Sequence, residues 1–405
     1  MKVTLSQDLL ARGLQIVGRA VAGGTSQPAL THVHLHVTAG QVQLTATDLR
    51  TVIRYTLPVQ SHDGDGQFLL PARLFSEFVG AVPTSTLTLT TDPAHPDTVA
   101  LSGGHTSATI RSGPLADFPA MPALVGTLLA TLPVAALRDG IPHVSFAAAG
   151  DGKNPVLGAV LLEVAPDSLT LVATDGFRLA QRRLALPFAV AAADPPAATD
   201  PPTAADPPTA PLQLLVPPTA LNDLAAILGG APFSGPTPTV STVTITRGAN
   251  GNFVVFAAGA LVLLTRLVDG AYPKYGAMLP TSHASRVVLP GHALRDAVRL
   301  AACFSADKHQ VVMLHLVPAA ATAPAGLTVD SESNERGANQ SILDGVVDGA
   351  DTTIALHAGY ILQALGTFTG PVALELNGPQ RPGILRPASG DGPTQLIMPM
   401  AAKAA

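Results

Sequence analysis

Apolar residues recur along this chain with two different periods, and the switch between them comes in the same order three times. Near the N-terminus Leu9, Leu10, Leu14, Ile16 and Val17 fall on one side of a helical projection, with Asp8, Arg12, Gln15 and Arg19 on the other; that pattern predicts an amphipathic helix with a polar, partly basic face. Far downstream, Leu294, Ala297, Val298 and Ala301 oppose His292, Arg295, Asp296 and Arg299 in the same way. Between such helices the period drops to two. His32–Val37, Val42–Thr47, Leu87–Thr90 and Ser168–Val172 alternate apolar with polar residues, as half-buried antiparallel strands do. Ala39-Gly40, Asp151-Gly152 and Asp175-Gly176 mark turns between these runs.

The helical openings are copies of one another. Leu5–Arg12, Leu132–Asp139 and Leu289–Asp296 each place a polar starter before an apolar run, the middle copy being interrupted by Gly140 and Pro142. A second short segment of the same kind follows in each block, at Leu70–Phe78, Val216–Leu224 and Leu356–Leu362. Blocks of roughly 120–160 residues are domain-sized, and far longer than the ~20–50 residues of a solenoid unit. The organisation read from the repeats is three similar α+β domains, 1–124, 125–283 and 284–405, each with two short helices packed on antiparallel sheet.

Composition narrows the chemistry. Charged residues make up 13% of the 405, well below the ~25% of an average soluble domain, and 37 Gly with 37 Pro imply many turns and short strands. A formal charge of -5 gives no global attraction to nucleic acid but leaves room for a local basic surface. The single cysteine, Cys303, excludes an internal disulfide and fits a reducing compartment. The N-terminus lacks the apolar core of a signal peptide, and no window approaches the ~18 apolar residues of a membrane span. The expectation is a cytoplasmic protein with no membrane association. The tandem run Asp194–Thr209 is proline-dense and is read as an extended loop insertion at about 191–211, inside the middle block.

Four strings set into this triplication carry a family resemblance: Ala173–Ala180 (ATDGFRLA), Leu267–Tyr275 (LVDGAYPKY), Ala116–Pro119 (ADFP) and the terminal Met398-Pro399-Met400. In this order, at these positions, the chain resembles the bacterial sliding clamps, the β subunit of the replicative DNA polymerase. The resemblance implies a DNA-clamp fold and a head-to-tail homodimeric ring around double-stranded DNA, independent of sequence. It implies a non-enzymatic processivity factor without cofactors. Polymerase, clamp loader and repair proteins would dock through short linear peptides. It also assigns residues. Arg12, Arg19, Arg73, Lys153, Arg295 and Arg299 would face DNA, where scattered cations give weak, salt-sensitive phosphate contacts that permit sliding. In the middle block, Pro218 and Thr219 stand where many clamps are basic, so contact there is expected to be weaker. The peptide pocket would be walled by Val156, Thr174, Gly176, Phe177, Arg178, Leu179, Pro273, Tyr275, Met278, Tyr360, Pro382, Met398, Pro399 and Met400. Soft methionines suit a surface that takes several partners in turn, and Arg178 could meet peptide carbonyls or a carboxylate. Ala108 and Ile110 would meet Cys303 and Phe304 of a second subunit at the ring joint.

Motifs for other chemistry are thin. Gly150–Asn154 lacks the spacing of a phosphate-binding loop. His32, His34 and His36 share one strand face and could present two metal ligands, although a polar row opposite Val33, Leu35 and Val37 accounts for them. Cys303 near Asp307 and His309 reads as helix packing, and Asp63 with Asp65 as a turn lacking calcium ligands. Two other readings remain: a specialised clamp paralogue for repair or inhibitor resistance, and an Ala/Pro-rich β-sheet surface or interaction protein.

Overall fold

The computed structural model describes residues 1–401 apart from 93, 151, 153, 187–210, 234–238, 306–309, 319–324 and 334. The proline-dense run Asp194–Thr209, Lys153, Asp151, Asp307 and His309 therefore lie outside the described residues. The rest forms two compact units: one holds Met1–Ala135 with Asp223–Leu267, the other Ala136–Leu186 with residues 211–222 and Val268–Ala405.

In the first unit, helix α1 (Gln7–Val17) buries Leu10, Leu14, Ile16 and Val17. Gly13 lets it settle on the sheet, since a Cβ there would meet the Leu44 side chain at 2.8 Å and that of Leu57 at 3.1 Å. Helix α2 (Ala72–Ala81) packs beside it through Phe75 and Val79, both fully buried. A five-stranded sheet runs Ser61–Asp63, Lys2–Ser6, Thr86–Asp92, His95–Gly103 and Thr106–Arg111. Asp63 thus ends an edge strand before Gly64, at φ 77°, turns the chain. The second sheet has eight strands: four from the first block, Thr51–Pro58, Gln41–Thr47, His32–Thr38 and Gly66–Pro71, and four from the middle block, Gly126–Pro133, Thr242–Gly248, Phe253–Ala258 and Leu261–Arg266. The seam is antiparallel, Tyr55 opposite Leu261 and Val52 opposite Leu264.

The second unit repeats the device. Helix α3 (Val134–Gly140) and helix α4 (Pro218–Leu228) open the two halves of the middle block, and each has residues in both units. Leu212–Val216, Val160–Val164, Ser168–Thr174 and Arg178–Ala185 continue through Thr394–Ile397 into four more strands of the third block, a nine-stranded sheet. That seam sets Arg178 opposite Ile397 and Leu179 opposite Leu396. A four-stranded sheet, Gly337–Asp344, Gly326–Ser333, Val311–Val317 and Thr352–His357, completes it. Helix α5 (Gly291–Phe304) buries Leu294, Ala297, Val298 and Ala301, the face that its periodicity predicts. Helix α6 (Ala358–Leu365) lies against α5, and the two join one core with Leu314, Leu327 and Leu374. Two of the four sheets are therefore shared between neighbouring blocks. Backbone pairing across a seam reads no side chains, which is why alternation alone gave no sign of it.

Candidate partner-binding site

The turn between strands Ser168–Thr174 and Arg178–Ala185 is held by its own side chains. Thr174 donates its hydroxyl to the Arg178 carbonyl at 2.6 Å and accepts the Gly176 amide at 3.1 Å. Asp175 Oδ1 accepts the amides of Phe177 and Arg178, both at 3.0 Å. Gly176 sits at φ 89°, the left-handed region where a side chain is costly. The result is a rigid tip that leaves Phe177 61% exposed. Immediately after the seam strand, Met398 donates its amide to the Phe177 carbonyl at 2.8 Å, and Met400 donates to the Ala355 carbonyl at 2.8 Å. Two backbone bonds thus tie the terminal Met-Pro-Met to this turn and to the four-stranded sheet.

The Arg178 guanidinium makes three hydrogen bonds within the chain. Nε donates to Asp175 Oδ2 at 3.0 Å, Nη2 to the Phe146 carbonyl at 2.8 Å, and Nη1 to Gln363 Oε1 on α6. Its plane packs over the Tyr360 ring at 4.6 Å and the Phe146 ring at 5.1 Å, and the side chain is 11% exposed. All three nitrogens are engaged internally, and the residue braces the turn against α6. Asp175 lies three residues from Arg178, but Phe146 and Gln363 are remote in sequence and carry no local signal.

Around this brace the structure gathers an apolar cluster. Leu161, Val172, Leu179, Tyr272, Ile384 and Leu396 are buried, and Val156, Tyr275, Met278 and Met398 pack on them half-buried. Thr174 is buried beneath the turn. Pro382, Pro399 and Met400 are half-buried and Pro273 is exposed. Tyr275 donates its hydroxyl to Glu163 Oε2, whose other oxygen accepts Gln213 at 2.9 Å. Burial first, and then the Glu163 carboxylate, push the Tyr275 hydroxyl well above its ordinary range, so it stays a donor. Glu163 is a residue of this site that sequence reasoning missed.

The helix arginines are mostly occupied. Arg19 pairs with Asp223 at 3.1 Å, Arg73 with Glu77 at 2.9 Å and Arg138 with Asp139 at 2.6 Å. Arg299 stands 3.7 Å from Asp296, while Arg295 donates to the Leu365 carbonyl at 2.6 Å, at the C-terminal end of α6. Arg12 is half-buried near Tyr55. Counting Asp8 with Arg12 on α1 and the lone Asp223 on α4, the six helices carry no net charge.

At the residues expected for a subunit joint, Ala108 is half-buried and Phe304 half-buried at the end of α5. Ile110 is 4% exposed and belongs to its own sheet's core, so its side chain is not free for a partner. Cys303, read from sequence as packing, is exposed, its thiol directed to the Arg299 carbonyl at 3.4 Å. It lies on the polar side of the last helical turn. In the histidine row, His34 bonds Gln67 at 3.2 Å and packs against Phe118, 5.2 Å between ring centres. His32 Nδ1 lies 2.8 Å from the Pro28 carbonyl. No group of three or more His, Cys, Asp or Glu among the described residues is placed to hold a metal. Among them, too, no helix is long and apolar enough to cross a membrane.

Three family descriptions match the chain in order: DNA polymerase III beta subunit, N-terminal domain, over residues 1–122; its central domain over 131–193; and its C-terminal domain over 277–401. Among curated relatives, the beta sliding clamp of Synechocystis is 28% identical over 99% of both chains. That of Pseudomonas putida is 26% identical over 99% of this chain and 100% of its own. Among solved structures, the sliding clamp of Bacillus subtilis matches with TM-score 0.84 at 22% identity over 100% of both chains. The Streptococcus pyogenes beta subunit matches with TM-score 0.86 at 22% identity over 99% and 100%; these two likenesses speak to the fold. With all three domain descriptions in sequence and relatives aligned end to end, the chain belongs to the DNA polymerase III beta subunit family, the beta sliding clamps.

Proposed function

We propose that this protein is a processivity clamp that closes as a head-to-tail homodimer around duplex DNA, and that partners dock at the turn Thr174–Arg178 beside Met398-Pro399-Met400. Membership of the family makes it a non-catalytic accessory subunit of DNA polymerase III. The observation that carries the docking reading is the pairing of a rigid exposed tip, Phe177, with half-buried Met398, Tyr275 and Met278 over one apolar cluster. A short peptide laid there gains apolar contact from adaptable methionines, while Arg178 and Glu163 hold the walls from behind. The domain limits 1–124, 125–283 and 284–405, a cytoplasmic site of action, and DNA contact by Arg12, Arg19, Arg73, Lys153, Arg295 and Arg299 belong to the same proposal. So does a joint in which the strand of Ala108 and Ile110 meets Cys303 and Phe304.

Loader-assembled protein is expected to stay on nicked circular DNA in high salt and to run off once the circle is linearised; equal loss from both sinks the clamp reading. Alanine at Met398 and Met400 is expected to abolish binding of a peptide from the polymerase while leaving the dimer intact. Unchanged peptide affinity in that variant sinks the pocket.

A further inference from the structure

The turn at the partner site occurs twice. In the first unit Thr47 donates its hydroxyl to the Thr51 carbonyl at 2.9 Å and accepts the Leu49 amide at 3.0 Å. Asp48 Oδ1 accepts the amides of Arg50 at 2.9 Å and Thr51 at 2.7 Å. These are the bonds of Thr174–Arg178, one for one. The adjoining seam repeats as well: the Arg266 amide donates to the Arg50 carbonyl at 2.9 Å, as Met398 does to Phe177. Position by position, Leu49 stands for Gly176, Arg50 for Phe177 and Arg266 for Met398.

The substitutions change the chemistry. Leu49 occupies φ 73°, where the second turn uses glycine at 89°, and it is 53% exposed. A leucine kept in a strained conformation by four hydrogen bonds, with half its surface in solvent, is placed for contact rather than packing. It borders an open groove of about 410 Å³, with Val21, Gly23, Thr25, Gln27 and Leu30 among its walls. Arg50 and Arg266 are exposed, and neither has an ion-pair partner among the described residues, unlike Arg19, Arg73 and Arg138 on or beside the helices. The groove's one carboxylate, Asp48, has Oδ1 occupied by the turn amides.

We propose that the first unit carries a second docking site, formed by the Leu49–Arg50 tip, Arg266 and the 21–30 groove, that takes an acidic linear peptide. An aliphatic side chain of that peptide lies against Leu49 and Leu30, and its carboxylates meet the two arginines, where guanidinium–carboxylate pairing is strongest. The choice of a peptide over a nucleic acid rests on the equivalent turn being a peptide site, as proposed above; the unpaired arginines and the strained leucine are independent of it.

The probe is a fluorescein-labelled nine-residue peptide of Asp and Glu around one Leu, titrated into full-length protein and followed by anisotropy. Saturable binding is expected that falls at least tenfold in R50A/R266A and in Leu49→Gly. Glycine suits the backbone of that tip, so its loss of binding cannot be misfolding. The M398A/M400A protein is expected to bind the acidic peptide as wild type does, which separates this site from the first: failure of the first pocket leaves this result standing. No saturable binding, or binding indifferent to R50A/R266A, overturns the proposal. If a short DNA duplex displaces the peptide, and R50A/R266A shortens retention on circular DNA, the surface is a nucleic-acid contact instead and the proposal is overturned.

Discussion

Replacing Arg178 tests whether the brace, and not a ligand contact, is its role. Arg178→Met keeps the chain's bulk between Phe146 and Tyr360 but removes every donor, leaving Asp175 Oδ2, the Phe146 carbonyl and Gln363 Oε1 without their partner. Removing one member of a buried ion pair costs about 3–5 kcal/mol. Because Asp175 retains two backbone donors and is itself 16% exposed, the lower end applies, roughly 3 kcal/mol. For a folding unit of this size that corresponds to a fall of about 6–12 °C in melting temperature. Calorimetry on the full chain reads it, because only the transition of the second unit should move. Arg178→Lys is expected to fall nearly as far, as an ammonium cannot serve three acceptors while stacked between two rings. A drop below about 2 °C in Arg178→Met would refute the brace.

Other outcomes follow from the same geometry. Glu77→Gln frees Arg73, 91% exposed on α2; with that helix against DNA, the logarithmic salt dependence of binding should steepen by about 0.9 per protomer, or about 3.5-fold over a fourfold change in salt. An unaltered slope would mean α2 does not meet phosphate. Leu49→Gly relieves a left-handed leucine that buries little, so chemical denaturation should find it as stable as wild type or up to about 1 kcal/mol more stable. A clear loss would make Leu49 a packing residue. Burial holds the His34 and His143 imidazoles below their ordinary value of 6.5, aided by Arg54 and His36 in one case and by Arg182 in the other. The unfolded chain then takes up protons first, so stability is full above about pH 6.5 and declines as pH falls below it. Urea midpoints from about pH 8 to about pH 5 should show that decline, and His34→Gln should flatten it; a wild-type midpoint level across the range contradicts the assignment.

Elements with strong periodicity were legible residue by residue. The α5 face Leu294, Ala297, Val298 and Ala301 is buried as predicted, and the strand His32–Thr38 alternates burial along its length. Thr174 and Asp175 declare their turn in sequence because each acts on backbone two to four residues away, and Gly176 supplies the left-handed position between them. The brace could not be foreseen: Arg178 meets Phe146 and Gln363, which are 32 and 185 positions distant. The partners of the arginines on or beside the helices were hidden for a related reason. A helical projection shows that Arg73 faces outward, yet Glu77 one turn on neutralises it, and Arg19 finds Asp223 from another block. Cys303 sat beside Ala301 and Ala302 in an apolar run, but the last turn of α5 has already rotated it into solvent.

The seams that fuse the blocks have a counterpart that is left open. Thr106–Arg111 closes the five-stranded sheet and Gly337–Asp344 the four-stranded one, and neither has an outer partner among the described residues. Along the latter, Ile342 is 71% exposed, and Val346 just beyond it 75%. An unpaired strand with apolar side chains is a template for any other edge it meets. An open edge in each unit is a surface that a copy of the chain can cover by strand pairing, in a closed ring or in head-to-tail growth. Variants made to yield a monomer are therefore expected to stay in solution better when the edges themselves are charged.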